Sequence, residues 1–320
     1  MRSKQRTPRR NEKRKLFVSL RKTVRKWSGK RKKPTMPATE ERPTLRLVTY
    51  MCPSHPVEMF ETIMAYLEEE VKVKAVLQYE SRHPGPLPDR EDPFEHDLID
   101  LAFMSPAEYL KLHDNNNQHA ELLPVAAVFK HSKNTTESAD YYSDIIVHTD
   151  TRSYVNALED LRGCQWAYNH ENSLSGYITV LKALKDIGEG SQFFGNTLKA
   201  GSHLACIKMV QQKQAEAAAV DANVLAYNQK KLPDYGKDIS VLTSLGPLPP
   251  YPIVISKKVS GELKSKIVEA LLKATKTRLW GKRLEAFGIV GFQANHPDKY
   301  FSIRETYEVL KNKRLNNIYY

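Results

Sequence analysis

After Pro43, short apolar segments alternate with longer amphipathic ones, and this alternation restricts the fold more than any other feature of the sequence. The amphipathic segments repeat apolar residues every three or four positions, as Val57, Phe60 and Met64 do, which predicts helices. The apolar segments predict ten strands, at residues 45–50, 73–79, 98–103, 124–129, 144–148, 165–168, 191–194, 216–220, 239–243 and 253–256. Strands and helices that alternate along a chain are typical of an α/β fold. The proline-rich stretch 83–88 is predicted to be a surface loop.

The length and composition allow a large core. The chain has 320 residues, of which 41% are hydrophobic and 9% aromatic, enough for one large α/β domain or for two lobes. No apolar run reaches the roughly 18 residues that a membrane-spanning helix needs, and the N-terminal region lacks the apolar stretch of a secretory signal. We therefore expect an intracellular protein without a transmembrane segment.

Most of the positive charge lies in the first 35 residues. This segment holds sixteen lysines and arginines against the single acid Glu12, so it carries +15 and leaves −3 for the rest of a chain whose net charge is +12. Such a composition predicts a segment that is disordered when alone, and Pro34, Pro37 and Pro43 indicate a linker. We expect residues 1–43 to form a basic tail and linker outside the folded part.

The tail is compatible with several partners. Leu16, Leu20 and Val24 recur at helical spacing among basic residues, as in a mitochondrial presequence or a membrane-surface anchor. Residues 30–33, KRKK, fit a nuclear import signal or an electrostatic arm for nucleic acid. A solvated tail without a specific partner is the alternative, and the sequence leaves these interpretations open.

Common catalytic and cofactor motifs are absent from the sequence. It contains no GxSxG nucleophile turn, no GxxxxGK[ST] phosphate loop, no HExxH and no GxGxxG. Three scattered cysteines, Cys52, Cys164 and Cys206, favour free thiols over disulfides or metal ligands. We therefore predict no cofactor, no metal site and no catalytic residue. The segment 52–55, where a thiol and an imidazole lie close in sequence, is interpreted as an ordinary loop from strand to helix.

One segment carries more chemistry than the others. Residues 168–177, YNHENSLSGY, connect a predicted strand to a predicted helix. A helix that begins there offers unpaired backbone N–H groups, the positive end of the helix dipole and the hydroxyls of Ser173 and Ser175, which together suit a tetrahedral oxyanion. A second start of this kind follows the next strand, at Gly201, Ser202 and His203. Ordinary helix capping is the alternative for both segments.

Six short motifs follow one another along the chain: residues 100–109 (DLAFMSPAEY), 142–147 (YSDIIV), 158–163 (LEDLRG), 173–176 (SLSG), 201–203 (GSH) and 216–221 (EAAAVD). Their order and spacing resemble the phosphonate/phosphite-binding family of ABC-transporter periplasmic components, over roughly residues 45–312. The resemblance implies a type II periplasmic-binding-protein-like fold with a ligand cleft between two lobes. Lobe 1 would comprise residues 44–139 plus 241–320, and lobe 2 residues 140–240.

The resemblance also implies how an oxyanion is held. In the family, a segment that usually reads STSG grips the phosphonate oxygens with its backbone and hydroxyls. This role carries over to Ser173, Ser175 and Gly176, and to Leu174 through its N–H alone.

The resemblance also implies which residues line the cleft and which one binds the part of the ligand beyond the oxyanion. Tyr109 and His203 match residues that line the cleft, and Tyr79 does so on a looser alignment. A carboxylate that holds the ammonium group of an aminophosphonate corresponds to Glu216 or to Asp221.

These observations predict a protein that binds a small anionic ligand, such as a phosphonate, a phosphate or a related oxyanion compound. We expect an intracellular sensor or scavenger and not a transporter component. Two alternatives remain: an enzyme of the same fold that acts on a phosphorylated small molecule, and a protein that binds nucleic acid or an anionic membrane through residues 1–35. The basic tail leaves mitochondrial or nuclear targeting open.

Overall fold

A computed structural model describes residues 42–52, 54–231, 234, 236–310 and 315 of the chain. The described residues form one compact unit. The predicted basic tail and most of the predicted linker lie outside the described residues.

The strands of the described chain are named β1 to β12. They are β1 (Thr44–Thr49), β2 (Lys74–Tyr79), β3 (Leu101–Phe103), β4 (Ala120–Leu122), β5 (Val125–Phe129), β6 (Tyr141–His148), β7 (Gln165–Tyr168), β8 (Asn196–Lys199), β9 (Ala217–Asp221), β10 (Ile239–Leu248), β11 (Ile253–Ser256) and β12 (Ile289–Ala294).

The helices follow the amphipathic segments. They are α1 (Val57–Val71), α2 (Pro106–Asp114), α3 (Thr179–Asp186), α4 (His203–Gln211), α5 (Ala222–Lys231), α6 (Gly261–Lys273), α7 (Arg278–Glu285) and α8 (Asp298–Leu310). A π-helical turn, Leu174–Ile178, leads directly into α3, and short 3-10 turns lie at Thr149–Ser153, Leu158–Leu161 and Ala274–Lys276.

Two five-stranded sheets organise the described chain. The first has the order β2-β1-β3-β11-β4, with β1 parallel to β2 and β3. The second has the order β10-β6-β9-β7-β8, with β7 parallel to β8 and β9 and with β6 antiparallel to β9. Strands β5 and β12 form a separate antiparallel pair. The mixed α/β fold predicted from the sequence is confirmed.

Each five-stranded sheet has its own core. Leu45, Leu101 and Ile255 of the first sheet pack against α1 and α6, whereas Trp166 of the second sheet packs in a cluster with α3. Strand β10 continues through residues 240 and 241, where the lobe boundary was placed. The lobe boundaries themselves stay a prediction.

One predicted strand is wrong. Residues 191–194 form bends and turns, and the strand of this region, β8, begins at Asn196. Phe193 and Phe194 are buried because Phe194 stacks on Trp166, with ring centroids 4.3 Å apart, and Phe193 packs edge-on against Phe194. Apolar residues were therefore correctly expected in the core, but a turn places them there. Strands β4 and β12 were not predicted.

No helix in the described ranges is both long enough and apolar enough to span a bilayer. Cys52, Cys164 and Cys206 are buried free thiols.

Candidate ligand-binding site

A cavity of about 170 Å³ opens where loops from the two sheets meet. The loop after β1 contributes residues 50–52, 54 and 55, and the loop after β2 contributes residues 81–84. From the second sheet come residues 169–175 except Glu171, residues 201–203 and Asp221, which follow or end β7, β8 and β9. Carboxyl ends of parallel strands meet at one edge of a sheet, which is where α/β proteins bind their ligands.

The helix that begins at Leu174 points its first turn at this cavity. Ser173 is its N-cap, and its Oγ accepts a hydrogen bond from the Gly176 N–H at 3.0 Å. The N–H groups of Leu174 and Ser175 have no helical carbonyl to donate to, since they belong to the first turn. Ser143 Oγ, on β6, donates to the Ser175 carbonyl oxygen at 2.6 Å and fixes this turn against the sheet. The resulting cluster of donors at the positive end of a helix suits an oxyanion.

The side chains of this turn divide between the cavity and the core. Ser173 and Ser175 are buried and line the cavity. Tyr141, on β6, is another lining residue. The Leu174 side chain packs in the core of the second sheet, so its contribution to a ligand is its N–H.

Asn169 leaves no room for a side chain at Gly176. A Cβ atom at Gly176 would lie 2.1 Å from Asn169 Oδ1, far inside contact distance. Asn169 is only 3% exposed and lines the cavity. Gly176 itself does not line the cavity, and its N–H is already taken by Ser173. The glycine therefore serves to let Asn169 pack against the helix.

His203 links the ends of two strands through both of its ring nitrogens. Nδ1 accepts a hydrogen bond from the Asp221 N–H at 3.3 Å, which assigns the single proton of the neutral ring to Nε2. Nε2 lies 3.2 Å from the Asn169 amide nitrogen, while Asn169 Oδ1 has no hydrogen-bond partner. The Oδ1 and Nδ2 atoms of Asn169 are nearly isosteric. When they are exchanged, Oδ1 accepts the hydrogen bond from His203 Nε2.

Burial lowers the pKa of His203 to about 4. The imidazole is therefore neutral at pH 7 and supplies no positive charge to an anion. Because both ring nitrogens bind protein groups, His203 positions Asn169 and the end of β9. Its neighbour Ser202 caps α4, with Oγ accepting from the Ala205 N–H at 3.1 Å.

Asp221 is a buried carboxylate that lines the cavity. Its Oδ1 caps α5 by accepting from the Asn223 and Val224 N–H groups at 2.9 and 3.3 Å. Its Oδ2 accepts from the Tyr251 hydroxyl at 2.6 Å and lies 3.6 Å from His55 Nε2. Burial by itself raises the pKa of this carboxyl, but contacts with His55, His203 and Tyr251 hold it below its ordinary value. Asp221 is thus an anion at neutral pH.

The cavity also contains residues that were not predicted to bind a ligand. Arg82, which pairs with Glu80, and His83 and Pro84 line it, although residues 83–88 were predicted to form a surface loop. Their only sequence signal is their position after a strand of the first sheet. The segment 52–55 borders the cavity too, and burial raises the pKa of Cys52 to about 11, so its thiol stays protonated.

Besides Gly176, three residues expected at the site lie outside the cavity. Tyr79 is 68% exposed at the end of β2, an edge strand. Tyr109 is buried in α2, where its ring packs edge-on against Tyr300 at 4.7 Å. Glu216 lies at the opposite end of β9 from Asp221, and its carboxylate accepts a hydrogen bond from the Gln165 N–H at 2.7 Å. Of the two candidate carboxylates, the cavity therefore contains Asp221.

We found no grouping of His, Cys, Asp and Glu side chains suited to a metal ion in the part of the chain that the structure describes.

The depressed pKa of His203 predicts a loss of stability in acid. The ordinary value is 6.5 and the folded value about 4, so between these values the unfolded chain binds more protons and the free energy of unfolding falls as the pH falls. The loss of unfolding free energy that is due to His203 approaches about 3 kcal/mol near pH 4. His170, whose pKa burial also lowers to about 4, acts in the same direction.

Urea unfolding from pH 7 to pH 4.5 measures this effect. The His203→Gln variant keeps a hydrogen-bonding side chain but does not titrate, so its stability is expected to depend less steeply on pH than that of the unmodified protein. An equal slope for the two proteins would contradict the assignment of His203 as a buried neutral group.

Comparisons with known proteins agree with this geometry. Residues 47–300, more than half of the chain, match the family described as the phosphonate periplasmic substrate-binding protein of ABC transporters. The binding-protein component of a Pseudomonas aeruginosa ABC phosphonate transporter has a similar structure, with a TM-score of 0.67 at 18% identity, over 84% of this chain and 87% of that chain.

Two other solved structures share the fold. PhnD1 of Prochlorococcus marinus, in complex with methylphosphonate, gives a TM-score of 0.64 at 14% identity, over 83% of this chain and 98% of that one. A Xanthomonas citri protein bound to ATP gives a TM-score of 0.59 at 16% identity, over 84% and 98% of the respective chains. The two-lobed periplasmic-binding-protein fold inferred from the sequence is confirmed. The chain belongs to the family of phosphonate periplasmic substrate-binding proteins of ABC transporters.

Proposed function

We propose that this protein binds a small tetrahedral oxyanion, a phosphonate or a phosphate, with the first turn of the helix that begins at Leu174. The observation that carries the proposal is the buried start of this helix: Ser173, Leu174 and Ser175 line the cavity, and the first-turn N–H groups of Leu174 and Ser175 have no helical carbonyl to donate to. Hydrogen bonds from such groups to an ionised acceptor are about twice as strong as bonds between neutral groups.

The size of the cavity favours a small ligand. Drug-sized ligands occupy pockets of roughly 300 to 1,000 Å³, whereas this cavity measures about 170 Å³. Methylphosphonate, the ligand of the Prochlorococcus protein, has one carbon beyond the oxyanion. We therefore expect compounds of that size to bind better than a nucleotide.

The cellular role that we propose is that of an intracellular sensor or scavenger. The support for this role is the charge distribution, since sixteen basic residues in the first 35 suit an intracellular address or an anionic surface. In this proposal the cavity binds the ligand, and the basic segment determines where the protein resides, in the nucleus, in the mitochondrion or at an anionic surface.

Calorimetry on the 320-residue chain tests which oxyanion binds. Methylphosphonate, inorganic phosphate, phosphite, sulfate and ATP are titrated separately, and we expect methylphosphonate or phosphate to bind with the highest affinity. Tighter binding of ATP would contradict the proposed size class, and hydrolysis of ATP would favour the enzyme alternative.

A chain that lacks residues 1–35 distinguishes binding by the cavity from binding by the basic segment. We expect it to keep its affinity for the oxyanion and to lose any salt-dependent binding to DNA or to anionic vesicles. Loss of oxyanion binding in the shortened chain would contradict the assignment of the ligand to the cavity.

A further inference from the structure

We propose that His55 and Tyr251 occupy Asp221 so completely that the site selects oxyanions without an ammonium group. This inference rests on the proposed function, because it concerns the non-anionic end of the same ligand. His55 would then determine specificity. It lies in the loop after β1 of the first sheet, whereas Asp221 ends β9 of the second sheet.

Protein groups surround both carboxylate oxygens of Asp221. A carboxylate oxygen has about two positions for hydrogen bonds. Oδ1 accepts from two backbone N–H groups of α5, and Oδ2 accepts from the Tyr251 hydroxyl and faces His55 Nε2. Three positions therefore accept hydrogen bonds from protein groups, and the His55 ring nitrogen faces the fourth at 3.6 Å, so none is left open to a ligand ammonium.

The two groups beside Asp221 Oδ2, His55 and Tyr251, are held in place. His55 is 4% exposed, and its ring packs edge-on against Tyr251 with centroids 5.0 Å apart. The Tyr251 hydroxyl also accepts a hydrogen bond from Asn223 Nδ2 at 3.0 Å, and its ring packs against Tyr141 at 4.5 Å. Moving either group away from Asp221 would break packing as well as a polar contact.

A ligand ammonium needs a negatively charged acceptor to pair with. Among the lining residues in the described part of the chain, Asp221 is the one carboxylate. The nearby Glu108 is paired with Lys111 at 2.6 Å, and Glu80 is paired with Arg82. A ligand ammonium in this cavity would therefore find no free carboxylate, and a buried charge that lacks a partner is costly.

Two ligands that differ at one position test the inference. Ethylphosphonate and 2-aminoethylphosphonate have the same oxyanion and chain length, and they differ by a terminal methyl against a terminal ammonium. We expect the full-length protein to bind ethylphosphonate about tenfold more tightly or better, since the cost of an unpaired charged group corresponds to at least that factor.

Two variants then open the carboxylate, which means that each removes a protein group from Asp221 Oδ2. His55→Ala and Tyr251→Phe each free one position on Asp221 Oδ2, and both are expected to shift the preference toward 2-aminoethylphosphonate. Tyr251→Phe removes a single oxygen atom and keeps the ring packing, so it provides the test if His55→Ala does not fold. The matched control is His131→Ala, which changes another histidine beside a buried carboxylate, 3.4 Å from Asp144, but one that does not line the cavity; it should leave the ratio of the two affinities unchanged.

The outcomes separate this inference from the proposed function. If neither phosphonate nor inorganic phosphate binds, the proposed function fails. If the unmodified protein binds both phosphonates but prefers 2-aminoethylphosphonate, the inference fails and the proposed function stands. An unchanged ratio in both variants that open the carboxylate would also overturn the inference.

Discussion

Gly176→Ala is expected to cost both stability and ligand affinity. The new Cβ would lie 2.1 Å from Asn169 Oδ1, so either the buried Asn169 or the first turn of the helix must move. Overpacking of a buried site costs about 1–3 kcal/mol of unfolding free energy. Displacement of Asn169 also removes the partner of His203, and displacement of the turn moves the first-turn N–H groups at the cavity. We therefore expect at least a roughly tenfold loss of affinity for methylphosphonate or phosphate.

Gly261→Ala provides the matched control for this variant. Gly261 also lies in the first turn of a helix, α6, but a Cβ there meets no atom within 4 Å. Urea unfolding and calorimetry should therefore detect no loss for Gly261→Ala. If Gly176→Ala behaved like this control, the close packing of Asn169 against the helix would not matter for the site.

Ser175→Ala is expected to reduce oxyanion affinity by about ten- to a hundredfold, because it removes the hydroxyl of a residue that lines the cavity and donors to charged groups are worth about 1.5–3 kcal/mol. The fold should lose less, since the Ser175 carbonyl keeps its bond from Ser143. Calorimetry with a single ligand, compared with thermal unfolding of the same samples, measures the two effects separately.

Ser260→Ala shows what the loss of a serine at a helix start costs away from the cavity. Ser260 Oγ caps α6 by accepting from the Leu263 N–H at 3.3 Å, and it does not line the cavity. Its replacement should lower stability by about 1 kcal/mol and leave affinity unchanged. Equal affinities in Ser175→Ala and in the unmodified protein would reduce the turn 173–176 to an ordinary helix cap.

Local sequence was sufficient to predict the two helix starts of the candidate site. Ser173 and Ser202 are N-caps whose role depends on a few neighbouring residues, and a serine before an amphipathic segment is a strong local signal. Of the strands that precede these helices, β7 was predicted with its observed bounds, whereas β8 was placed too early in the chain. The error at residues 191–194 arose because Phe193 and Phe194 are buried in a turn, and burial by itself does not distinguish a turn from a strand.

The partners of Asp221 could not be predicted from local patterns. His55 and Tyr251 are separated from it by 166 and 30 positions in the chain, and only the meeting of the two sheets brings them together. For the same reason the motif alignment suggested Tyr79 and Tyr109, which the fold places outside the cavity. Glu216 and Asp221 were equivalent in the sequence, but they lie at opposite ends of β9, so the direction of that strand decides which one reaches the cavity.

The most direct test of the central claim is a crystal structure of the full-length protein with methylphosphonate or inorganic phosphate, whichever calorimetry shows to bind more tightly. We predict that the oxyanion lies in the cavity within hydrogen-bonding distance of the Leu174 and Ser175 N–H groups and of the Ser175 hydroxyl. An oxyanion bound elsewhere, or an empty cavity at a concentration that saturates binding in solution, would contradict the account.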